Sequence, residues 1–198
     1  ILITTFTEAW VIALKKRLTK FIGTDAYKVK ICTIHSFAQD VITQFPEKFI
    51  EQRAGSTIDD IESLEFFTHI LDTKITAGEI EYLFHPSDRF TYLRDIKSRI
   101  GTLKSEWISP EQFDTIIKNQ RDSYNEALEA LKDNKRIRDL EKRTAKDALS
   151  YDTHIAKLTE LNLLYRAYQQ HLKDNNLYDF SDMINFAVEK MRIDEELT

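Results

Sequence analysis

The sequence predicts a mostly α-helical fold with a partial α/β portion at its start, and three observations lead there. Glycine and proline together number only seven of 198 residues, against roughly 12% in average usage, too few for the turns of a β-sandwich or barrel. Charged residues reach 31% while hydrophobic residues hold at 42%, a mixture that buries a core, solvates long helices and excludes wholesale disorder. Near the N-terminus two short β-branched runs are each followed by helical periodicity, the pattern of adjacent parallel strands in an α/β sheet.

Ile1 to Phe6 is apolar and β-branched and reads as a buried strand. Thr7 is placed to cap the helix that follows: Val11, Leu14, Leu18 and Phe21 recur at three- and four-residue steps, and Gly23 supplies the stop. Val29 to Thr33 forms a second strand, and a helix from about His35 to Phe45 ends at Pro46. Two strands do not make a stable sheet alone and no third is legible, so the sheet is expected to be incomplete in this chain. Ser56-Thr57 opens a helix to about Leu71, Thr76-Ala77-Gly78-Glu79 has capping-box spacing ahead of Ile80 to Phe84, and Pro86-Ser87-Asp88 starts a helix to about Leu103. Ser109-Pro110-Glu111-Gln112 is the clearest helix start, with a Ser cap, Pro in the first helical position and Gln three residues after the cap. Glu111 to Lys173 reads as one long helix, or as two broken near Ser150-Tyr151-Asp152-Thr153. Asp179 or Ser181 caps a last helix through Met183, Phe186, Ala187 and Met191. No heptad is sustained, which favours a packed helical subdomain over a coiled coil. The organisation expected is an α/β segment over 1–46, a helical segment over 47–176 and a last helix within 177–198.

The net charge of −5 and pI of about 5.6 give no global basic signature. Locally, Arg89, Arg94, Lys97, Arg99 and Lys104 stand against Asp95 alone, and seven basic residues between Lys132 and Lys146 outnumber three acidic ones. Such stretches suit phosphate neutralisation, or form a solvated helix face laced with ion pairs. A lone Cys32 fits a reducing compartment, with cytoplasm the default, and reads as a small buried hydrophobe. No apolar run approaches the ~20 residues of a membrane span. The five histidines lie far apart without Cys or carboxylate at metal-ligand spacing, and no glycine-rich Lys-Ser/Thr loop or nucleophile elbow occurs. No catalytic, cofactor-binding or metal-ligating residue is therefore expected.

Three motifs remain, all at strand–helix junctions: Thr5-Phe6-Thr7, Thr33-Ile34-His35-Ser36-Phe37 and Asp179-Phe180-Ser181-Asp182-Met183. The first two end adjacent strands, where open α/β sheets place their ligands. Hydroxyls, an imidazole and an aromatic ring there suit a sugar-phosphate backbone and a stacked base. Phe6 reads equally as core, His35 as a hydrogen-bonded residue of the helix cap, and Asp179 as an N-cap rather than a metal ligand.

In this order the motifs resemble the UvrD/Rep/PcrA-type helicases of superfamily one. Ile1 to Thr7 with Leu14, Arg17 and Leu18 is similar to motif Ia; Val29 to Ala38 is similar to the following Thr-Ile/Phe-His-Ser-Phe motif, with Phe45-Pro46 pointing to the AddA and RecB branch. Leu177 to Ile184 is similar to the element that precedes the Walker B strand. The matches cover about 45 residues. One departure stands out: Glu8-Ala9-Trp10-Val11 occupies the place of the family's Asn-Lys-Ala-Ala.

The resemblance implies two parallel strands of a RecA-like P-loop NTPase sheet with a 1B-like helical insertion, in an internal segment lying between the Walker A and Walker B motifs of an ATP-dependent DNA helicase. ATP and Mg2+ would then belong to the parent protein, and the segment alone would be inactive. By the same resemblance Thr5, Phe6, Thr7, His35 and Ser36 would contact single-stranded DNA, while Arg136, Arg138, Lys142 and Arg143 would meet duplex at a fork. The alternative is a helical protein-interaction module without a nucleic-acid role.

Overall fold

The computed structural model describes residues 1–49, 55–132 and 140–194, without the side chains of 128, 130–132 and 140–148. The chain divides into two compact units, one made of Ile1–Ile58 with Asn175–Thr198 and the other of Asp59–Asp174.

In the first unit, β1 (Leu2–Thr5) leads into α1 (Glu8–Ile22), a 3-10 helix (Gly23–Lys28) returns the chain, and β2 (Lys30–Thr33) leads into α2 (Ile34–Gln44). The strands pair in parallel, with Leu2 opposite Lys30 and Thr5 opposite Thr33. Pro46 bars the residue before it from helical geometry, and α2 ends at Phe45 in a non-helical conformation. The core lies against α2, where Ala38, Val41 and Ile42 share a face and meet Phe49, Tyr178, Met183 and Ala187. The last two come from α7 (Phe180–Ile193), the return helix.

A second ladder escapes sequence reading altogether. Ser56–Thr57 (β3) pairs in parallel with Leu177–Tyr178 (β4), so Ser56-Thr57 is a strand and not a helix start. Ser56 N donates to Asn176 O and Ile58 N, just past the strand, to Tyr178 O, and a Cβ on Gly55 would come within 2.6 Å of Asn176 O. Strand β1 also differs from the buried strand expected: its residues alternate between exposed and half-buried, and Ile1 is 93% exposed. Cys32 is half-buried rather than enclosed.

The second unit holds four helices among its described residues: α3 (Asp60–Thr76), α4 (Leu93–Ser105), α5 (Pro110–Lys132) and α6 (Leu140–Asp174). Asp59 starts α3 because its carboxylate accepts from both Ile61 N and Glu62 N, while Glu62 reaches back to Asp59 N. The expected capping box at Thr76–Glu79 is instead the end of α3. Gly78 takes φ 73° there, and Glu79 N donates to Lys74 O in a 6→1 closure.

Ile80 to Phe84 is not helical, because its donors turn to the Glu160 carboxylate. The helix expected from Pro86 begins only at Leu93: Asp88 accepts from Phe90 N and Thr91 Oγ1, holding a turn. The start at Ser109 stands as the sequence implies, with Gln112 N donating to Ser109 Oγ and Ser109 N to Gln112 Oε1. Its backbone N–H and the Ser109 hydroxyl hold the Glu111 carboxyl below the usual range. Ser150 to Thr153 lies inside α6, so no break falls there. Tyr151 stacks on Tyr124 of α5 at 3.7 Å and donates to Gln120 O. Phe67 and Leu71, Ile96 and Ile100, Phe113 and Ile117, and Leu161, Leu164, Tyr165, Tyr168 and Leu172 form the buried faces of the four helices.

Candidate functional site

The register that pairs Thr5 with Thr33 sets two strand ends side by side, each running straight into a helix. A hydroxyl makes each junction. Thr7 Oγ1 accepts from Trp10 N at 3.4 Å, as the cap position implies, and Thr33 Oγ1 accepts from Ser36 N at 3.0 Å. Thr33 Oγ1 then donates to Ser36 Oγ at 2.8 Å, and Ser36 Oγ donates to Glu8 Oε1 at 3.4 Å. Glu8 thereby joins the two motifs.

Phe6 is 84% exposed, so it is not core. Leaving such a ring in water forgoes roughly 2 kcal/mol of burial and keeps its face open for stacking. Trp10, one helical turn on, is 56% exposed. Thr5 and Ser36 are half-buried, while Thr7 and His35 are exposed. The His35 ring meets Phe180 edge to face at 5.5 Å between centroids, and Phe180 is itself 57% exposed. Phe180 reaches this place because Met183 and Ala187 of α7 pack with Ala38, Val41 and Ile42 of α2. Asp179 caps α7 in a reciprocal box with Asp182, which accounts for its carboxylate.

Along β2 the charges are set by pairing and burial. Asp40, 2.8 Å from Lys30, holds that ammonium above its ordinary range by hydrogen bonding. Burial pushes the Cys32 thiol up, keeping it protonated and non-nucleophilic at neutral pH. Among the described residues no three His, Cys, Asp or Glu side chains are grouped to hold a metal ion.

The structure thus gathers Thr5, Phe6, Thr7, His35 and Ser36 at neighbouring strand ends and adds Glu8, Trp10 and Phe180. Phe180 was legible only as part of the third motif; its contact with His35 spans 145 residues of sequence. Of the basic residues singled out, Arg136 and Arg138 lie outside the described residues. Lys142 and Arg143 fall in the first turns of α6, and their side chains lie outside them too. Two of the five basic residues in the other stretch are ion-paired and a third is buried. Arg89 pairs with Asp72, Lys97 with Asp60 at 3.0 Å, and Lys104 is buried with its ammonium 5.2 Å from the Tyr168 ring centroid. These partners lie on α3 rather than at i,i+4 along one helix, and Arg94 and Arg99 are exposed.

Among the described residues no helix is long and apolar enough to cross a membrane. A family model described as the UvrD/REP helicase N-terminal domain matches residues 1–198. No curated protein matches the chain.

Proposed function

Because the chain belongs to the UvrD/REP helicase N-terminal domain family, we propose that it is the part of an ATP-dependent DNA helicase that grips single-stranded DNA, in a cytoplasmic enzyme of repair or recombination. One observation carries this reading: the exposed Phe6 ring and the His35–Phe180 pair stand beside the hydroxyls of Thr5, Thr7 and Ser36 at the carboxyl ends of two parallel strands. Exposed rings supply stacking faces for bases of any sequence, and hydroxyls and an imidazole supply contacts to the backbone. Phe6 and Phe180 would stack on bases, His35 and Ser36 would meet the backbone, and Thr5 and Thr7 would shape the loop between. Contact with the duplex of a fork by Arg136, Arg138, Lys142 and Arg143 is proposed from the sequence alone.

ATP and Mg2+ are assigned to the parent enzyme. The residues here do not fit them: the chain has four dispersed glycines and no clustered-glycine loop ending in Lys-Ser/Thr. No step through the nucleotide is derived from this chain, and alone it is expected to hydrolyse none.

Fluorescence anisotropy with a labelled oligothymidylate tests the reading. The chain should bind weakly, with affinity falling as salt rises. Replacing Phe6 and His35 together by Ala should cost about tenfold or more, from stacking of ~1–3 kcal/mol per base. Absence of salt-sensitive binding at any accessible concentration would remove the proposal and leave the helical interaction module.

A further inference from the structure

Glu8 and Ser36 lie 28 residues apart in sequence yet meet across the two strand ends. The hydroxyl chain there has a direction. Ser36 Oγ accepts the hydrogen of Thr33 Oγ1 and gives its own to Glu8 Oε1, and a serine hydroxyl has only one hydrogen to give. With that hydrogen on Glu8, none is left for an incoming phosphate oxygen. The carboxylate also stands, exposed and negative, against the same hydroxyl. Its position in the first turn of α1 favours an anion, so the helix itself helps to hold it there.

We infer that Glu8 is a built-in competitor for the phosphodiester at the Ser36 hydroxyl. It is a positioning residue that limits how tightly the site holds single-stranded DNA. A strand moving through the site displaces the carboxylate on arrival, and the carboxylate reclaims the hydroxyl as the strand leaves. The inference rests on the single-strand reading of the site. Giving up one hydrogen bond of ordinary net strength to admit the phosphate lowers affinity on the order of fivefold.

The test is a double-mutant cycle on the full 198-residue chain, read by anisotropy with a labelled oligothymidylate. Glu8→Ala should tighten binding about fivefold. Glu8→Gln, which keeps an acceptor but no charge, should tighten it less. In a Ser36→Ala background the Glu8→Ala gain should shrink to within about twofold. Equal affinities of the parent chain and Glu8→Ala, with both binding, would overturn the competition while leaving the DNA grip in place. A gain that persists in full without the Ser36 hydroxyl would overturn it as well, since it would mark a general charge effect. Binding by neither protein would remove the grip and the inference together.

Discussion

Glu160 illustrates how much one side chain carries in this molecule. It is 8% exposed, and its carboxylate accepts from the backbone N–H groups of Glu81, Tyr82 and Leu83 at 2.8 to 3.1 Å. A segment that would otherwise bury unpaired donors is thereby tied to α6. Hydrogen bonds to a charged group contribute about 1.5–3 kcal/mol each, and the amide of Glu160→Gln would turn donors toward donors. That substitution should destabilise the insertion by about 3 kcal/mol. In urea unfolding followed by circular dichroism, the midpoint should fall with the slope unchanged, whereas Glu189→Gln on an exposed position should leave both unaltered. The partners are nearly 80 residues apart, so no local pattern announces them. Phe6 is the opposite case at the same scale: its place between two threonines at a strand end is local, and only its exposure had to come from the structure.

At the scale of elements, chemistry near each helix start decided what could be read. Ser109, Thr7, Thr33 and Asp179 each cap the helix that follows them, because a short oxygen-bearing side chain reaches the second or third amide of its own helix. At the start of α3 the sequence misled. Ser56-Thr57 had the look of a cap, but the helix waits for Asp59, whose carboxylate takes two amides at 2.7 and 2.8 Å. Asp59→Ala should cost about 1 kcal/mol, and Asp59→Asn only a few tenths, in the same urea measurement. An equal loss from both substitutions would show that charge, not capping geometry, is what matters. The ladder of β3 and β4 was illegible for a different reason: two-residue strands have no periodicity, and their pairing joins segments some 120 residues apart.

For the whole molecule, each of the two units encloses side chains of its own, with Phe49 almost completely buried in the unit that holds α2. The unit over Asp59–Asp174 encloses Phe67, Leu71, Ile80, Ile100 and Leu164 almost completely. In the other, α1 buries no residue fully, and Ile1, Phe21 and Tyr27 remain largely exposed. The segment 59–174 produced alone should therefore fold, giving a helical circular dichroism spectrum and a cooperative melt. The full chain should bind a hydrophobic dye that the excised segment does not. A molten, dye-binding segment would show that the four helices depend on the rest of the chain.

The sequence by itself determined the helical class, the two strand–helix units, the caps at Thr7, Ser109 and Asp179, and the family. All of these are written in neighbouring residues, through spacing of three and four, β-branching, and short motifs at strand ends. Only the tertiary structure decided the second ladder, the Glu160 tie, the pairing of Arg89 and Lys97 with acids on another helix, and the arrival of Phe180 beside His35. Each of those joins residues far apart in the chain, and contacts across such distances arise from how helices pack, which leaves no periodic trace in the sequence. The site shows both halves: its hydroxyls and rings were legible at the strand ends, while the contact of Glu8 with Ser36 exists only because parallel pairing sets those ends side by side.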